Sequence, residues 1–242
     1  MRIQWCEDAI SFDTHAAGFV LDLLAGRPEA VVALPTGGTP AGMYARLRAA
    51  GAVNPALFSR ARWFDLDEYV GLGASHPLSF AHFLHVHLFD AIAPQPAQVR
   101  LLRGNAADIG TECRDYDQAI ESAGGLDLAI LGLGANGHIA FNEPGSPWHL
   151  TTHGVELSEQ TRAANAAWLR TTEDIPGLGL TMGIATLRQA RNILLLVSGD
   201  SKRRALQSLL AGVEDPAWPV TSLIGHPRLT VVASAQLRSV GD

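Results

Sequence analysis

The stretch Leu126–Ser146, LDLAILGLGANGHIAFNEPGS, decides how the rest of the chain is read. Its first part, Leu126–Leu131, is a strand-length run that is apolar apart from Asp127. It then breaks into glycines at Gly132, Gly134 and Gly137 and a polar group of Asn136, His138, Asn142 and Glu143. A short apolar run that ends in glycine reads as a strand buried on both faces. Similar runs recur at Ala30–Leu34 (AVVAL), Arg62–Leu66, Asn192–Val197 (NILLLV) and Leu229–Ala233 (LTVVA), with a shorter candidate at Val99–Leu102. Helical patterns separate them at Pro40–Ala50, Ser79–Ile92, Thr111–Ala123, Ser158–Leu169, Thr181–Gln189 and Ser201–Leu210. Buried strands alternating with helices predict an α/β fold, a mostly parallel sheet with helices on both faces. No repeat and no linker rich in Pro, Gly or Ser divides the chain, so residues 1–242 read as a single domain.

In such a sheet, ligands collect at the carboxyl ends of the strands, which makes three loops the places to look. In Leu34–Pro40, LPTGGTP, Gly37 and Gly38 let backbone N–H groups approach an anion, Thr36 and Thr39 add hydroxyls, and a helix N-terminus follows. The same residues equally suit an ordinary strand-to-helix turn. Asp65–Leu72, DLDEYVGL, crowds three acids into four positions. If this segment is extended, Asp65 and Asp67 share a face and Glu68 takes the other. An acid set among Leu, Tyr and Val suits proton transfer, whereas a solvated acidic turn is the plain alternative. In Gly132–Ser146, His138 and Glu143 lie five residues apart, a spacing compatible with a histidine oriented by a carboxylate.

Composition narrows the classes. With 47% hydrophobic and 17% charged residues, the chain can bury a core and is not disordered. A net charge of -6 excludes a general nucleic-acid binder but leaves room for a small anion in a local positive pocket. Cys6 and Cys113 have neither metal-ligand nor redox spacing and suit a reducing compartment. The first residues lack an apolar signal core and no apolar run is long enough for a membrane span, so a cytoplasmic protein without a membrane partner is expected. His82, His85 and His87 invite a metal reading, but His87 turns away from the face that the other two share, so no metal site is expected. Apolar helix faces leave a homo-oligomer open. Of 18 basic residues only Lys202 is lysine. It lies in SKRR, Ser201–Arg204, at the start of a helix, where cations oppose the helix dipole and hint at a bound anion.

Together, LPTGGTP, DLDEYVGL and GHIAFNEPG, in that order, resemble the glucosamine-6-phosphate deaminase (isomerising) family, whose superfamily also holds 6-phosphogluconolactonases. TMGIATL (Thr181–Leu187) and SGDSKRRAL (Ser198–Leu206) extend the resemblance over most of the chain. DEYVGL together with GHIAFNEPG resembles the deaminase branch in particular. The resemblance implies a modified Rossmann-like fold and conversion of glucosamine 6-phosphate to fructose 6-phosphate and ammonia, formally a hydrolase and an isomerase at once, without cofactor or metal. It implies that Asp67 is the base moving a proton between C2 and C1. His138 would open the sugar ring, oriented by Glu143 and Asn136. Thr36, Gly37, Gly38, Thr39 and Lys202 would hold the phosphate.

Two departures qualify this. TRAANAAWL, Thr161–Leu169, resembles a family stretch in which a phosphate-binding arginine stands where this chain has Ala167. Arg170, one helical turn on, is the expected replacement. His149–Glu156, HLTTHGVE, has no Arg or Lys where some members bind an activator, and the chain ends soon after its last strand, so no activation by N-acetylglucosamine 6-phosphate is expected. Galactosamine 6-phosphate as substrate, a 6-phosphogluconolactonase-like hydrolase and a non-catalytic sugar-phosphate sensor are the competing readings.

Overall fold

The computed structural model describes residues 1–238. Seven strands form one sheet in the order β1-β10-β9-β6-β2-β3-β5. They are β1 (Arg2–Cys6), β2 (Val31–Leu34), β3 (Arg62–Asp65), β5 (Val99–Arg100), β6 (Leu128–Gly132), β9 (Ile193–Val197) and β10 (Leu229–Ser234). All neighbours pair in parallel. A small antiparallel sheet joins β4 (Asp67–Tyr69), β8 (Leu178–Thr181) and β7 (His153–Glu156).

Alternation along the central strands sends successive side chains into two cores. Leu128 and Ile130 of β6, with Leu194 and Leu196 of β9, pack with Ala16, Val20 and Leu24 of α1 (Ala9–Gly26) and Met43 and Leu47 of α2 (Ala41–Val53). Ala129 and Leu131, with Ile193, Leu195 and Val197, join Tyr116 and Ile120 of α5 (Ile109–Ser122). Leu187 of α7 (Ile184–Arg188) and Leu206 of α8 (Arg203–Leu210) complete that second core. Helices therefore cover both faces, the α/β arrangement expected. The order reverses between β2 and β6: β3 and β5 lie beyond one, β9 and β10 beyond the other. That reversal opens a crevice at the carboxyl ends.

Three readings are corrected. DLDEY is not one extended segment: the chain leaves the large sheet at Asp65 and joins the small one at Asp67. The buried Leu66 between them accepts the Met182 N–H on its carbonyl (2.7 Å). Thr181–Gln189 is not all helix, because Thr181 ends β8 and α7 starts only after Gly183. A Cβ at Gly183 would strike the carbonyls of Leu150 and Thr151. The helix from Ser79 runs as α3 (Phe80–Leu84), a π-helical turn at His85–Phe89, and α4 (Asp90–Ile92). In it, His87 stacks on Phe83 and His85 meets Asp90, so the three histidines do not converge.

At the opposite end of the sheet Asp127, just before β6, is buried. It accepts from the Val31 N–H (3.0 Å), Arg27 Nε (2.9 Å) and an Arg191 guanidinium nitrogen (3.0 Å), tying the start of β2 to the chain before β9. Both arginines are about half exposed and can solvate without it, whereas the Val31 N–H cannot. Asp127→Ala is expected to lower the unfolding free energy by about 2–3 kcal/mol, read from the shift in urea midpoint at unchanged slope.

Candidate active site

A cleft of about 790 Å³ opens where the strand order reverses. It is lined by Thr36, Gly37, Gly38, Thr39, Asp67, His138 and Lys202, residues drawn from four separate stretches of the sequence that the fold brings together.

The first wall is the loop between β2 and α2. Gly37 has a left-handed backbone (φ 109°), and Pro40 caps α2 without any side-chain hydrogen bond. The Ala41 N–H donates to the Gly38 carbonyl (3.4 Å), and the next amides of α2, at Gly42 and Met43, remain available to an anion. Ser198, after β9, bonds across to Thr39 (Oγ to Oγ1, 3.4 Å). Lys202 follows in a short 3₁₀ turn, Asp200–Lys202. It has no carboxylate partner among the described residues, and burial pushes its pKa down. A half-buried ammonium with no counter-charge is a ready receptor for an anion.

The second wall carries the acids, and all three are buried, not a solvated turn. Asp65 turns away from the cleft to accept from the Leu102 N–H (3.0 Å) and the Tyr116 hydroxyl (2.8 Å). Burial, then the charge of Glu68, pushes its pKa up to about 7. Glu68 receives the N–H groups of Tyr69, Phe80 and Ala81 (2.8, 3.0 and 2.9 Å), the last two at the start of α3. Only Asp67 faces the cleft, at 7% exposure, with no hydrogen-bond donor to its carboxylate among the described residues. Burial, followed by the charges of Asp65 and Glu68, holds its pKa well above the usual carboxylate range.

The third wall is the loop after β6. Gly134 leaves room for the His138 ring, which a Cβ there would strike. The chain then reverses through Ala140, a non-glycine residue at φ 48°. No hydrogen bond joins Glu143 to the His138 ring among the described residues. Glu143 instead accepts from Asn136 Nδ2 (2.7 Å) and Ser158 Oγ (3.1 Å). Asn136 Oδ1 accepts the His138 backbone N–H (3.2 Å), not a ring nitrogen. The ring nitrogen Nδ1 meets Thr161 Oγ1 (3.4 Å), which bonds to Ser158 (3.1 Å). Glu143 and Asn136 thus shape the loop from behind the cleft, and Thr161 is the side chain against the imidazole.

Thr161 belongs to a group that sequence reasoning missed, on α6 (Glu159–Leu169). Ser158 caps this helix through the Thr161 N–H (3.2 Å). Asn165 donates to the Tyr69 hydroxyl (2.7 Å), and Trp168 lies over Gly38. Ala164, Asn165 and Trp168 line the cleft, whereas Ala167 and Arg170 do not. Arg170 is exposed and caps α6 in a left-handed conformation (φ 53°, ψ 39°). The helix has ended, so the one-turn spacing that nominated Arg170 no longer holds. The 161, 165, 168 stripe was the available signal, a run of polar and aromatic side chains at helical spacing on one face.

A family model for glucosamine-6-phosphate isomerases and 6-phosphogluconolactonase matches residues 11–231. A glucosamine-6-phosphate deaminase of Shouchella clausii (strain KSM-K16) is 42% identical over 225 residues, 93% of this chain and 91% of that one. Glucosamine-6-phosphate deaminase 1 of Bacillus subtilis (strain 168) is 37% identical over 240 residues, 99% of each. A solved structure of a monomeric glucosamine-6-phosphate deaminase superposes with a TM-score of 0.94 at 38% identity, covering 98% of this chain and all of that one.

His138 is perturbed in the opposite sense to Asp67. Burial pulls its pKa from 6.5 down to about 4, Lys202 pushes the same way, and Glu143 opposes. Between those values the unfolded chain takes up a proton that the folded chain does not, so stability falls as pH drops through that window. Ring-nitrogen NMR is expected to show His138 titrating near 4. Lys202→Met is expected to raise that midpoint and Glu143→Gln to lower it.

Proposed function

Because the chain belongs to the family of glucosamine-6-phosphate isomerases and 6-phosphogluconolactonases, we propose that it deaminates and isomerises glucosamine 6-phosphate to fructose 6-phosphate. One observation carries this reading: Asp67 faces the same cleft as the neutral His138 and the unpaired Lys202, with a carboxylate that no described residue occupies. Lactone hydrolysis needs one base and a water. A second, proton-hungry carboxylate has its use in moving hydrogen between carbons.

The phosphate sits on the amides and hydroxyls of Thr36–Thr39 and the Lys202 ammonium. This anchorage supplies binding energy that holds the reacting carbons against Asp67. Neutral His138 takes the anomeric hydroxyl proton and returns one to the ring oxygen, which opens the ring to the aldehyde. Asp67 then removes the C2 proton while a proton of the substrate's ammonium group passes to O1, which gives an enolamine, and Asp67 returns its proton to C1. The result is a C2 imine. Water adds at C2 and ammonia leaves, so the sum is one water consumed and one ammonia released. The raised proton affinity of Asp67 suits a carboxylate that must hold the proton between two carbons. Thr161 positions the imidazole, and the Asn136–Glu143–Ser158 set holds the loop behind it.

Among the described residues no helix is long and apolar enough to cross a membrane, and Cys6 and Cys113 are free and buried. Both facts suit work in the reducing cytoplasm.

Asp67→Asn is expected to cut ammonia release by about 10²–10⁴ with little change in KM, because the group acts in the proton transfers and not in binding. Turnover near that of the unaltered protein would remove the mechanism. Lys202→Ala is expected to raise KM for glucosamine 6-phosphate by about ten- to a hundredfold, the equivalent of one charge-assisted contact. Ammonia assays on galactosamine 6-phosphate, and hydrolysis of 6-phosphogluconolactone, separate the neighbouring activities.

A further inference from the structure

Resting on the reading of the cleft as a sugar-phosphate site, we propose that the indole N–H of Trp168 is a phosphate donor, completing a site that has one cation.

Gly38 supplies the first observation. A Cβ built there would lie 3.2 Å from both Cδ1 and Nε1 of Trp168. The edge of the indole that carries the N–H therefore lies against the anion-receiving loop, and the benzene edge does not. The second concerns where that N–H goes. Trp168 lines the cleft and is half-buried, and its Nε1 has no hydrogen-bond acceptor among the described residues. It is not sealed in the interior, as the unpartnered Nε1 atoms of Trp63 and Trp148 are. The third is rigidity. Phe83 packs against Trp168 with ring centroids 5.3 Å apart at 66°, and His87 stacks behind Phe83 at 4.1 Å. A ring held this way loses little freedom when it makes one more bond.

The charge around the cleft makes such a donor useful. Lys202 is the only Lys or Arg among the described residues that line it, whereas Glu7, Asp8 and Asp13 line the same space. A phosphate monoester has three terminal oxygens to satisfy, and one ammonium cannot surround them. Indole N–H is a donor and never an acceptor. Placed beside backbone amides, it favours acceptor-only oxygens and adds no second cation near His138.

The test uses protein labelled with ¹⁵N in its tryptophan indoles and titrated with inorganic phosphate. The Trp168 resonance is identified by its loss in Trp168→Phe, a change that keeps an aromatic ring and removes the donor. That resonance is expected to move and saturate with phosphate. Trp168→Phe is expected to weaken phosphate binding, measured calorimetrically, and to raise KM for glucosamine 6-phosphate, each about tenfold, with kcat within about twofold. Gly38→Ala, which wedges the indole off the loop and leaves it in the protein, is expected to weaken phosphate binding in the same direction. A resonance that stays still through the titration, or unchanged phosphate affinity in both variants, overturns the assignment. A moving Trp168 resonance without ammonia from any amino-sugar phosphate would remove the catalytic reading and leave this one standing.

Discussion

The structure is organised around the burial of three carboxylates at Asp65, Asp67 and Glu68. Unpaired buried charge is costly, so each acid must be partnered, neutralised or given something to do. The chain meets this by changing sheets at Leu66. Asp65 stays with the large sheet and receives Leu102 and Tyr116, and Glu68 is carried to the start of α3. Asp67, at the first position of β4, is left facing the cleft. The small antiparallel sheet is therefore more than decoration on a parallel core. Without β8 pairing against β4, the three acids would follow one strand and compete for one set of donors.

The same segment explains why the acid in the cleft differs from its neighbours. Asp65 and Glu68 are surrounded by donors that partly offset their burial, whereas Asp67 has only their charges for company. Burial first, and then the charges of two well-held carboxylates, raise the proton affinity of the third. Helix α6 closes the arrangement by touching each wall: Thr161 at His138, Asn165 at Tyr69 beside the acids, and Trp168 at Gly38. Any shift of this helix is felt at all three.

The parallel sheet was legible because its strands are buried on both faces and read as continuous apolar runs, VVAL and ILLLV among them. The three loops were legible because strand ends in such a sheet carry unusual composition. The small sheet was not. Its strands are three or four residues long, and Thr181 continues into a segment with helical pattern, so periodicity merges β8 with α7. β1 and α1 also went unread. Nor could spacing show that Glu143 turns its carboxylate to Asn136 and Ser158, since the reversal at Ala140 is a left-handed residue that composition does not announce. Arg170 was misplaced for a related reason: helical spacing has meaning only inside the helix, and α6 stops one residue earlier.

The lone lysine gains a second role from the electrostatics. A guanidinium at position 202 would also attract an anion, but its planar fork is larger and needs several acceptors. A compact ammonium can sit half-buried beside the Thr39–Ser198 contact and still act on His138, whose pKa it helps to depress. On the proposed reading, a bound phosphate offsets that charge. The depression of His138 is then partly relieved, and the imidazole becomes a better base when a phosphorylated sugar is present. One cation would thus link the recognition of the phosphate, remote from the chemistry, to the ring-opening step. A neutral donor such as the Trp168 indole supports the phosphate without disturbing that link, because it brings no charge of its own to the imidazole.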